Sequence, residues 1–87
     1  MDVEFDSAKA RSNLAKHGIT FEEAATCLLD SCALVVEDCV TSGEPRWVLL
    51  GLSDKGRLLT VVYTLRGENP RLISARKATQ KEVLSYA

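Results

Sequence analysis

Residues 57–76 read RLLTVVYTLRGENPRLISAR, and in this stretch two apolar runs flank a short turn. Val, Ile, Thr and Tyr favour β-structure, so the pattern predicts strands over Leu58–Arg66 and Arg71–Arg76. The residues between them, GENP at 67–70, are typical of a tight turn. Because so short a connection joins antiparallel strands, the stretch predicts a β-hairpin at the centre of the fold.

The two faces of this hairpin differ in polarity. Successive side chains of a strand point to opposite faces, and a simple pairing then gives one polar and one apolar face. The polar face carries Thr64, Arg66, Ser74 and Arg76. The apolar face, which we expect to lie beneath helices, carries Leu59, Val61, Tyr63, Leu65 and Ile73. A shift of one residue in the pairing would break up the polar set.

Two further strands are predicted before the hairpin, at Ala33–Glu37 and Arg46–Leu52. Turn-forming residues at Thr41–Pro45 and Ser53–Gly56 separate the successive strands. Short connections between successive strands imply an antiparallel meander. Near the N-terminus, Val3–Phe5 is a candidate for one more short strand.

Two helices are predicted ahead of the sheet. SAKARSNLAKH at residues 7–17 follows a potential N-cap at Asp6 and ends at Gly18, a typical C-terminal glycine. FEEAATCLLD at 21–30 has apolar residues at helical spacing and begins after Thr20, which opens a capping box. A connection this short predicts a helical hairpin.

The end of the chain predicts a third helix. Thr79 and Glu82 have the spacing of a capping box, so a short C-terminal helix is expected to run through Tyr86. At 87 residues the chain is interpreted as one domain, 1–87. The expected fold class is α+β, with the helical hairpin packed on an antiparallel meander sheet and a short C-terminal helix.

Composition excludes several classes of protein. No stretch approaches the ~18 apolar residues of a membrane span, and no signal peptide is evident, so we expect a cytoplasmic location and no membrane partner. The cysteines Cys27, Cys32 and Cys39 are odd in number and lack a C-x-x-C pair, which favours free structural thiols. No phosphate-binding loop or metal-ligand spacing is present, so we expect a metal-independent reaction and no cofactor.

The net charge of −1 hides an asymmetry. Residues 1–45 carry three basic and nine acidic side chains, for −6, whereas residues 46–87 carry eight basic and three acidic ones, for +5. A basic half indicates contact with phosphates or with an acidic partner. A pI of 5.8 fits a charge-balanced, solvated surface equally well.

Two sets of residues are candidates for chemistry. The two guanidinium groups and two hydroxyls of the polar hairpin face are suited to holding a phosphodiester, although exposed sheet faces often carry such residues. The pair Lys16 and His17, beside Gly18, is suited to phosphate binding or proton transfer. The same triplet also fits ordinary compensation of a helix dipole by cations at its C-terminus.

The sequence resembles the BrnT toxin family, which has a RelE-like fold. The resemblance rests on blocks in family order: FDxxKAxxN at 5–13, KHGIxFEEA at 16–24, GRLLxVVYT at 56–64, RG at 66–67 and RLISARKATxKE at 71–82. KHGIxFEEA and ISARKAT are the specific blocks, since neither follows from helix or strand formation.

The resemblance implies a toxin of a type II toxin–antitoxin pair, an endoribonuclease that inhibits translation. The RNA's own 2′-hydroxyl is expected to be the nucleophile, leaving a cyclic phosphate. Arg66 and Arg76 would stabilise the phosphate, and Lys16 or His17 would assist proton transfer. Residues expected to bind RNA are Thr64, Ser74, Lys77 and Lys81.

The resemblance also implies a partner, a BrnA-like ribbon-helix-helix antitoxin in a heterotetramer that contacts operator DNA only through the antitoxin. The basic half would face RNA and antitoxin, with the acidic helices on its far side. An alternative is an inactive module of the same fold that binds antitoxin and co-represses its operon. A third interpretation, a small binding domain unrelated to toxins, is opposed by the density of motifs.

Two positions depart from the family pattern. Phe5 stands where tryptophan is commoner, and Leu65 stands where a glutamate is usual. Both are interpreted as packing residues, Leu65 because it alternates away from Arg66. Tyr63 is not assigned as an acid, because alternation places it on the buried face.

Overall fold

A computed structural model of the chain describes residues 2–38 and 45–86. Its four strands form one antiparallel sheet in the order β1-β2-β3-β4, which confirms the predicted meander and the α+β class. Cys39 and most of the predicted turn at Thr41–Pro45 lie outside the described residues. The elements are α1 Ser7–His17, α2 Phe21–Cys27, β1 Leu34–Asp38, β2 Arg46–Leu52, β3 Leu58–Arg66, β4 Asn69–Lys77 and α3 Gln80–Tyr86.

Helix α1 has the predicted bounds because both of its ends are capped. Asp6 Oδ1 accepts the backbone N–H of Ala8 at 2.7 Å, which satisfies a free donor of the first turn. Gly18 has φ 70° and donates its N–H to the Leu14 carbonyl at 2.9 Å. A side chain at this left-handed position would be strained, so glycine ends the helix here.

Helix α2 is shorter than predicted and ends at Cys27 rather than at residue 30. The chain continues in tight turns up to Asp30, whose N–H bonds the Cys27 carbonyl. The Asp30 carboxylate then accepts the N–H groups of Cys32 at 3.0 Å and of Leu52 at 2.9 Å. These bonds stabilise a turn that leads into the sheet, so the apolar periodicity continued beyond the true end of the helix.

The N-terminal segment forms less β-structure than predicted. Instead of a strand at Val3–Phe5, a single parallel bridge joins Glu4 to Arg71 of β4. Glu4 donates its N–H to the Pro70 carbonyl and accepts the N–H of Leu72, both at 2.9 Å. This bridge covers one end of the free edge of β4, the edge away from β3.

The β3–β4 hairpin contains a bulge that the sequence did not predict. Val62 pairs with Ser74 and Tyr63 pairs with Leu72, so Ile73 has no partner on β3. A bulge places two residues against one and changes the alternation beyond it. Leu72 therefore enters the core and is 1% exposed, so the expectation that Ile73 lies there is wrong. Arg71, which pairs with Thr64, lies on the face away from the core.

The core lies between the helical hairpin and one face of the sheet, called the inner face below. The predicted apolar residues Leu59 and Val61 are fully buried there, but Leu65 is 45% exposed, since it lies near the end of β3. The buried cluster consists of Ile19, Phe21, Ala24, Cys27, Leu49, Leu59, Val61, Leu72 and Ala75. Helix α3 lies against the other side, the outer face, where its Glu82 binds Arg76 of β4.

Candidate active site

A groove of about 210 Å³ runs between helix α1 and strand β4. We call it the α1–β4 groove. It is lined by Lys9, Ser12, Asn13, Lys16, His17, Ile73 and Ser74. The groove therefore brings together three of the residues predicted for the site, namely Lys16, His17 and Ser74.

Helical and strand geometry together build this groove. In a helix, residues three or four apart share a face, so Lys9, Asn13 and His17 lie on the side of α1 that faces β4. On the opposite wall the bulge at Ile73 turns that side chain out of the core and into the groove. Bulges commonly redirect side chains near functional sites, and this one does so beside Ser74.

The groove is cationic because α1 is a basic helix. Its sequence contains Lys9, Arg11 and Lys16 and no acidic residue, so the nine acidic residues of the first half all lie outside it. The expectation that both helices are acidic and lie away from the basic surface is therefore wrong for α1. In the described part of the chain, no ion pair involves Lys9 or Lys16. Both ammonium groups are thus available to an anion.

The polar hairpin face exists as predicted but is not a compact cluster. The register places Ser74 opposite Val62 and Arg76 opposite Thr60, so by alternation Thr64, Arg66, Ser74 and Arg76 all lie on the outer face. Arg66 lies six positions along β3 from Thr60, the partner of Arg76, which is ~20 Å at about 3.3 Å per residue. Arg66 is exposed at the hairpin end, far from the position of Arg76.

Two residues of that face are already engaged. Arg76 donates to both carboxylate oxygens of Glu82, from Nη1 at 2.8 Å and from Nη2 at 3.1 Å. This pairing lowers the pKa of Glu82 to about 2 and raises that of Arg76. The Thr64 hydroxyl donates to the Pro45 carbonyl at 2.8 Å and is 4% exposed, so it is not presented to a ligand.

The remaining predicted RNA-binding residues lie on the surface near α3. Lys77 is the exposed last residue of β4, and its carbonyl accepts a bond from Arg76 Nη1 at 3.2 Å. Lys81 is exposed in the first turn of α3. Neither lines the α1–β4 groove.

Of the two departures from the family pattern, Phe5 makes a packing contact and Leu65 is partly exposed beside a hollow. Phe5 packs edge-on against Phe21, with ring centroids 5.5 Å apart and an interplanar angle of 81°. Leu65 borders a separate hollow of about 260 Å³ on the inner face, whose lining also includes Tyr63. Burial raises the pKa of Tyr63.

Sequence analysis missed four lining residues, namely Asn13, Ile73, Lys9 and Ser12. For Lys9 and Ser12 the sequence did contain a signal, because they precede Lys16 by seven and four residues. This spacing places all three side chains on one face of the helix. What the sequence did not contain was the position of β4, which turns that helix face into one wall of a groove.

Two absences hold for the part of the chain that the structure describes. Within residues 2–38 and 45–86, no three His, Cys, Asp or Glu side chains gather as they would around a metal ion. No helix in these ranges is long and apolar enough to cross a membrane.

Fold and groove together define a small α+β protein whose cationic edge suits an anionic polymer. Comparison with known proteins identifies the family. The family model of the ribonuclease toxin BrnT of type II toxin–antitoxin systems matches residues 5–82, and the chain belongs to this family. The fold is similar to the crystal structure of the Brucella abortus ribonuclease toxin BrnT, with a TM-score of 0.71 and 28% identity over 92% of this chain and 99% of that one. Comparison with curated protein sequences gives no significant match.

Proposed function

We propose that the chain is a toxin that inhibits translation by cutting RNA, and that the cut is made in the α1–β4 groove. The groove carries this proposal, because Lys9, Lys16 and His17 line it together with Ser74. Family membership supplies the class of reaction, a ribonuclease. Ammonium groups bind the non-bridging oxygens of a phosphodiester, and an imidazole transfers protons near neutral pH.

The proposed reaction is attack by the RNA's 2′-hydroxyl on the adjacent phosphorus. A bond from the 2′-oxygen to phosphorus forms, the bond to the 5′-oxygen breaks, and the products are a 2′,3′-cyclic phosphate and a 5′-hydroxyl. One proton leaves the 2′-hydroxyl and one reaches the 5′-oxygen, and His17 serves this transfer. Lys16 and Lys9 stabilise the charge that grows on the phosphate oxygens, so the reaction is proposed to need no metal ion.

The arginines of the outer face have supporting roles in this proposal. Arg66, exposed at the hairpin end, binds a phosphate that flanks the cleaved one. Arg76 reaches the RNA only when it leaves Glu82, because both of its terminal nitrogens are bound to that carboxylate. Lys77 and Lys81 extend the positive surface beside it.

The second part of the proposal concerns the partner. The family belongs to type II systems, which implies an antitoxin. We propose a BrnA-like ribbon-helix-helix antitoxin that forms a heterotetramer with the toxin in the cytoplasm and contacts operator DNA itself. The apolar edge strand β1 supports a protein partner, since its residues Leu34 and Val36 on one face and Val35 on the other are 45%, 62% and 46% exposed.

Induced expression in bacteria tests the toxin function. We expect the parent chain to arrest growth and the incorporation of labelled amino acids, whereas His17→Ala and Lys16→Ala at equal soluble levels permit both. Lys55→Ala is the matched control, because this exposed lysine lies in the β2–β3 turn and does not line the groove.

Cleavage of RNA by the purified chain tests the chemistry. We expect cutting in the presence of EDTA, cyclic phosphate ends, and no cut where the 2′-hydroxyl is replaced by hydrogen. His17→Ala should lower the rate about 100-fold or more, the usual contribution of acid–base catalysis. A folded parent that binds antitoxin and cuts no RNA would instead support the inactive interaction module.

A further inference from the structure

Helix α1 buries a single side chain, Asn13, which is 6% exposed. Its Nδ2 donates to the Ala75 carbonyl at 2.9 Å and to the Ile19 carbonyl at 3.0 Å. Its Oδ1 accepts the backbone N–H of Ala75 at 3.0 Å. The carboxamide thus uses both N–H donors and its acceptor on the backbones of two other segments.

At Ala75 the Asn13 side chain makes the backbone hydrogen bonds that a neighbouring strand would make. β4 is the last strand of the sheet, and the peptide groups of Ala75 that meet Asn13 lie on the edge away from β3. Buried backbone donors and acceptors need partners, and an asparagine side chain offers the same donor and acceptor as a peptide group. Asn13 therefore satisfies the sheet edge where a fifth strand would otherwise be needed.

The same contact joins the two walls of the α1–β4 groove. Lys9 and His17 lie four residues before and after Asn13 on its helix face, and Ser74 directly precedes Ala75. We infer that Asn13 is a positioning residue, which sets the distance between the cationic wall of α1 and Ser74 and so places the phosphodiester against His17. This inference rests on the ribonuclease function proposed above.

Hydrogen bonds suit this task because Asn13 is the one buried residue of α1, so the helix has little apolar packing to fix the spacing. Apolar contacts of α1 and its neighbours are non-directional, whereas three hydrogen bonds to fixed peptide groups define both the height and the rotation of the helix. A displacement of about 1 Å in a catalytic group costs about 100-fold in rate. Loss of the carboxamide should therefore reduce cleavage far more than the loss of folded protein explains.

The test compares Asn13→Ala and Asn13→Gln with Leu49→Ala, measured at a temperature where all are folded. Leu49 is a core residue of β2, 4% exposed, and does not line the groove. We expect Asn13→Ala to lower kcat/KM for RNA about 100-fold, chiefly through kcat, and Leu49→Ala to keep it within about threefold at a similar loss of stability. Asn13→Gln keeps the amide on a longer side chain, so it should recover stability but not the full rate.

A second measurement needs no substitution. In the parent chain the side-chain amide protons of Asn13 should exchange with solvent as slowly as the N–H of Ala75, and fast exchange would overturn the inference. So would an Asn13→Ala variant, folded, whose rate matches that of Leu49→Ala. If the parent cuts no RNA, the proposed function fails but the positioning role of Asn13 can still be tested by NMR. The chain has a single histidine, so the His17 signals show whether RNA binds in the groove. Added 2′-O-methyl RNA should shift these signals in the parent and not in Asn13→Ala.

Discussion

Glu23 makes a buried side-chain contact outside the groove. The FEEA motif predicts a capping box with Thr20, and the Thr20 hydroxyl does accept the Glu23 N–H at 3.1 Å. The Glu23 carboxylate, however, turns the other way and is 3% exposed. It accepts bonds from the Arg57 guanidinium and from the Ser53 hydroxyl at 2.7 Å. An acid of α2 thereby anchors the β2–β3 turn.

This anchor makes stability depend on pH. The Arg57 hydrogen bonds outweigh burial and lower the pKa of Glu23 from 4.5 to about 2. A carboxyl whose pKa is depressed by folding stabilises the protein above its unfolded pKa and loses that effect as pH falls. We therefore expect the free energy of unfolding to decrease from about pH 4.5 towards pH 2, by at most about 3 kcal/mol from this group.

Urea denaturation of variants isolates the pair. Arg57→Ala should cost about 3 kcal/mol at pH 7, because it leaves a buried carboxylate without its partner, and should flatten the acid dependence. Arg71→Ala is the control: its pair with Glu4 spans 3.7 Å between partly exposed groups, so the change should stay below about 1 kcal/mol. Equal denaturation curves for the two variants would contradict this account.

At the residue scale, the sequence predicted part of the candidate groove and not the contacts of the other predicted residues. Lys16, His17 and Ser74 meet in one groove, but nothing local indicates that Arg76 is bound by Glu82. That bond depends on where α3 lies against the sheet, which is a tertiary property. The same holds for Glu23, whose local spacing fits a capping box while its carboxylate binds a residue 34 positions away.

At the scale of elements, α3 is only loosely attached to the rest of the described chain. It buries no residue, and Val83 and Leu84 are 43% and 77% exposed. Its N-terminus has the complete predicted capping box, in which Thr79 donates its N–H to Glu82 and accepts that of Glu82. Its far end is held by Tyr86, whose hydroxyl donates to Asp30 at 2.6 Å. Polar contacts thus hold α3 at both of its ends.

Removal of the distal contact should loosen the helix without unfolding the domain. We expect Tyr86→Phe to increase amide exchange several-fold across residues 80–86, while the protection of β3 stays unchanged. Ser85→Ala, which removes only a local bond to the Lys81 carbonyl, is the control. If exchange in α3 is the same in both variants, the Tyr86 contact does not hold the helix.

The elements themselves were predictable where local signals agree. α1, β2 and β3 have the predicted bounds, because caps, turns and alternation all indicate the same residues. The bulge at Ile73 was not predictable, since Leu72 and Ile73 are both apolar and either satisfies the pattern. Packing against the helical hairpin selects Leu72, and the sequence of β4 alone contains no sign of that choice.

At the scale of the whole molecule, the near-zero net charge conceals an uneven distribution of charged residues. Overall the chain is slightly acidic, yet α1 is entirely basic among its charged residues and borders β4 of the basic half. Local fields, rather than net charge, govern where a polyanion binds. The arrangement shows how a protein with a pI of 5.8 can present a cationic groove.

This arrangement predicts a salt dependence of RNA binding. Each phosphate contact on a single strand contributes about −0.7 to the slope of log K against log salt concentration. With 2′-O-methyl RNA as an uncleavable ligand, Lys9→Ala should weaken binding and reduce the slope by about 0.7. Lys55→Ala should change neither quantity. An unchanged slope for Lys9→Ala would place the RNA elsewhere on the surface.

The bulge in β4 determines which single-residue deletions the strand tolerates. Because Ile73 is an extra residue opposite Val62 and Tyr63, an in-frame loss of its codon would restore a regular ladder and leave Leu72 in the core and Ser74 on the outer face. An in-frame loss within the regularly paired stretch Ser74–Lys77 would instead turn the remaining side chains to the wrong face. When relatives are aligned, a gap at position 73 therefore marks a change in the shape of the groove wall and not a change of fold.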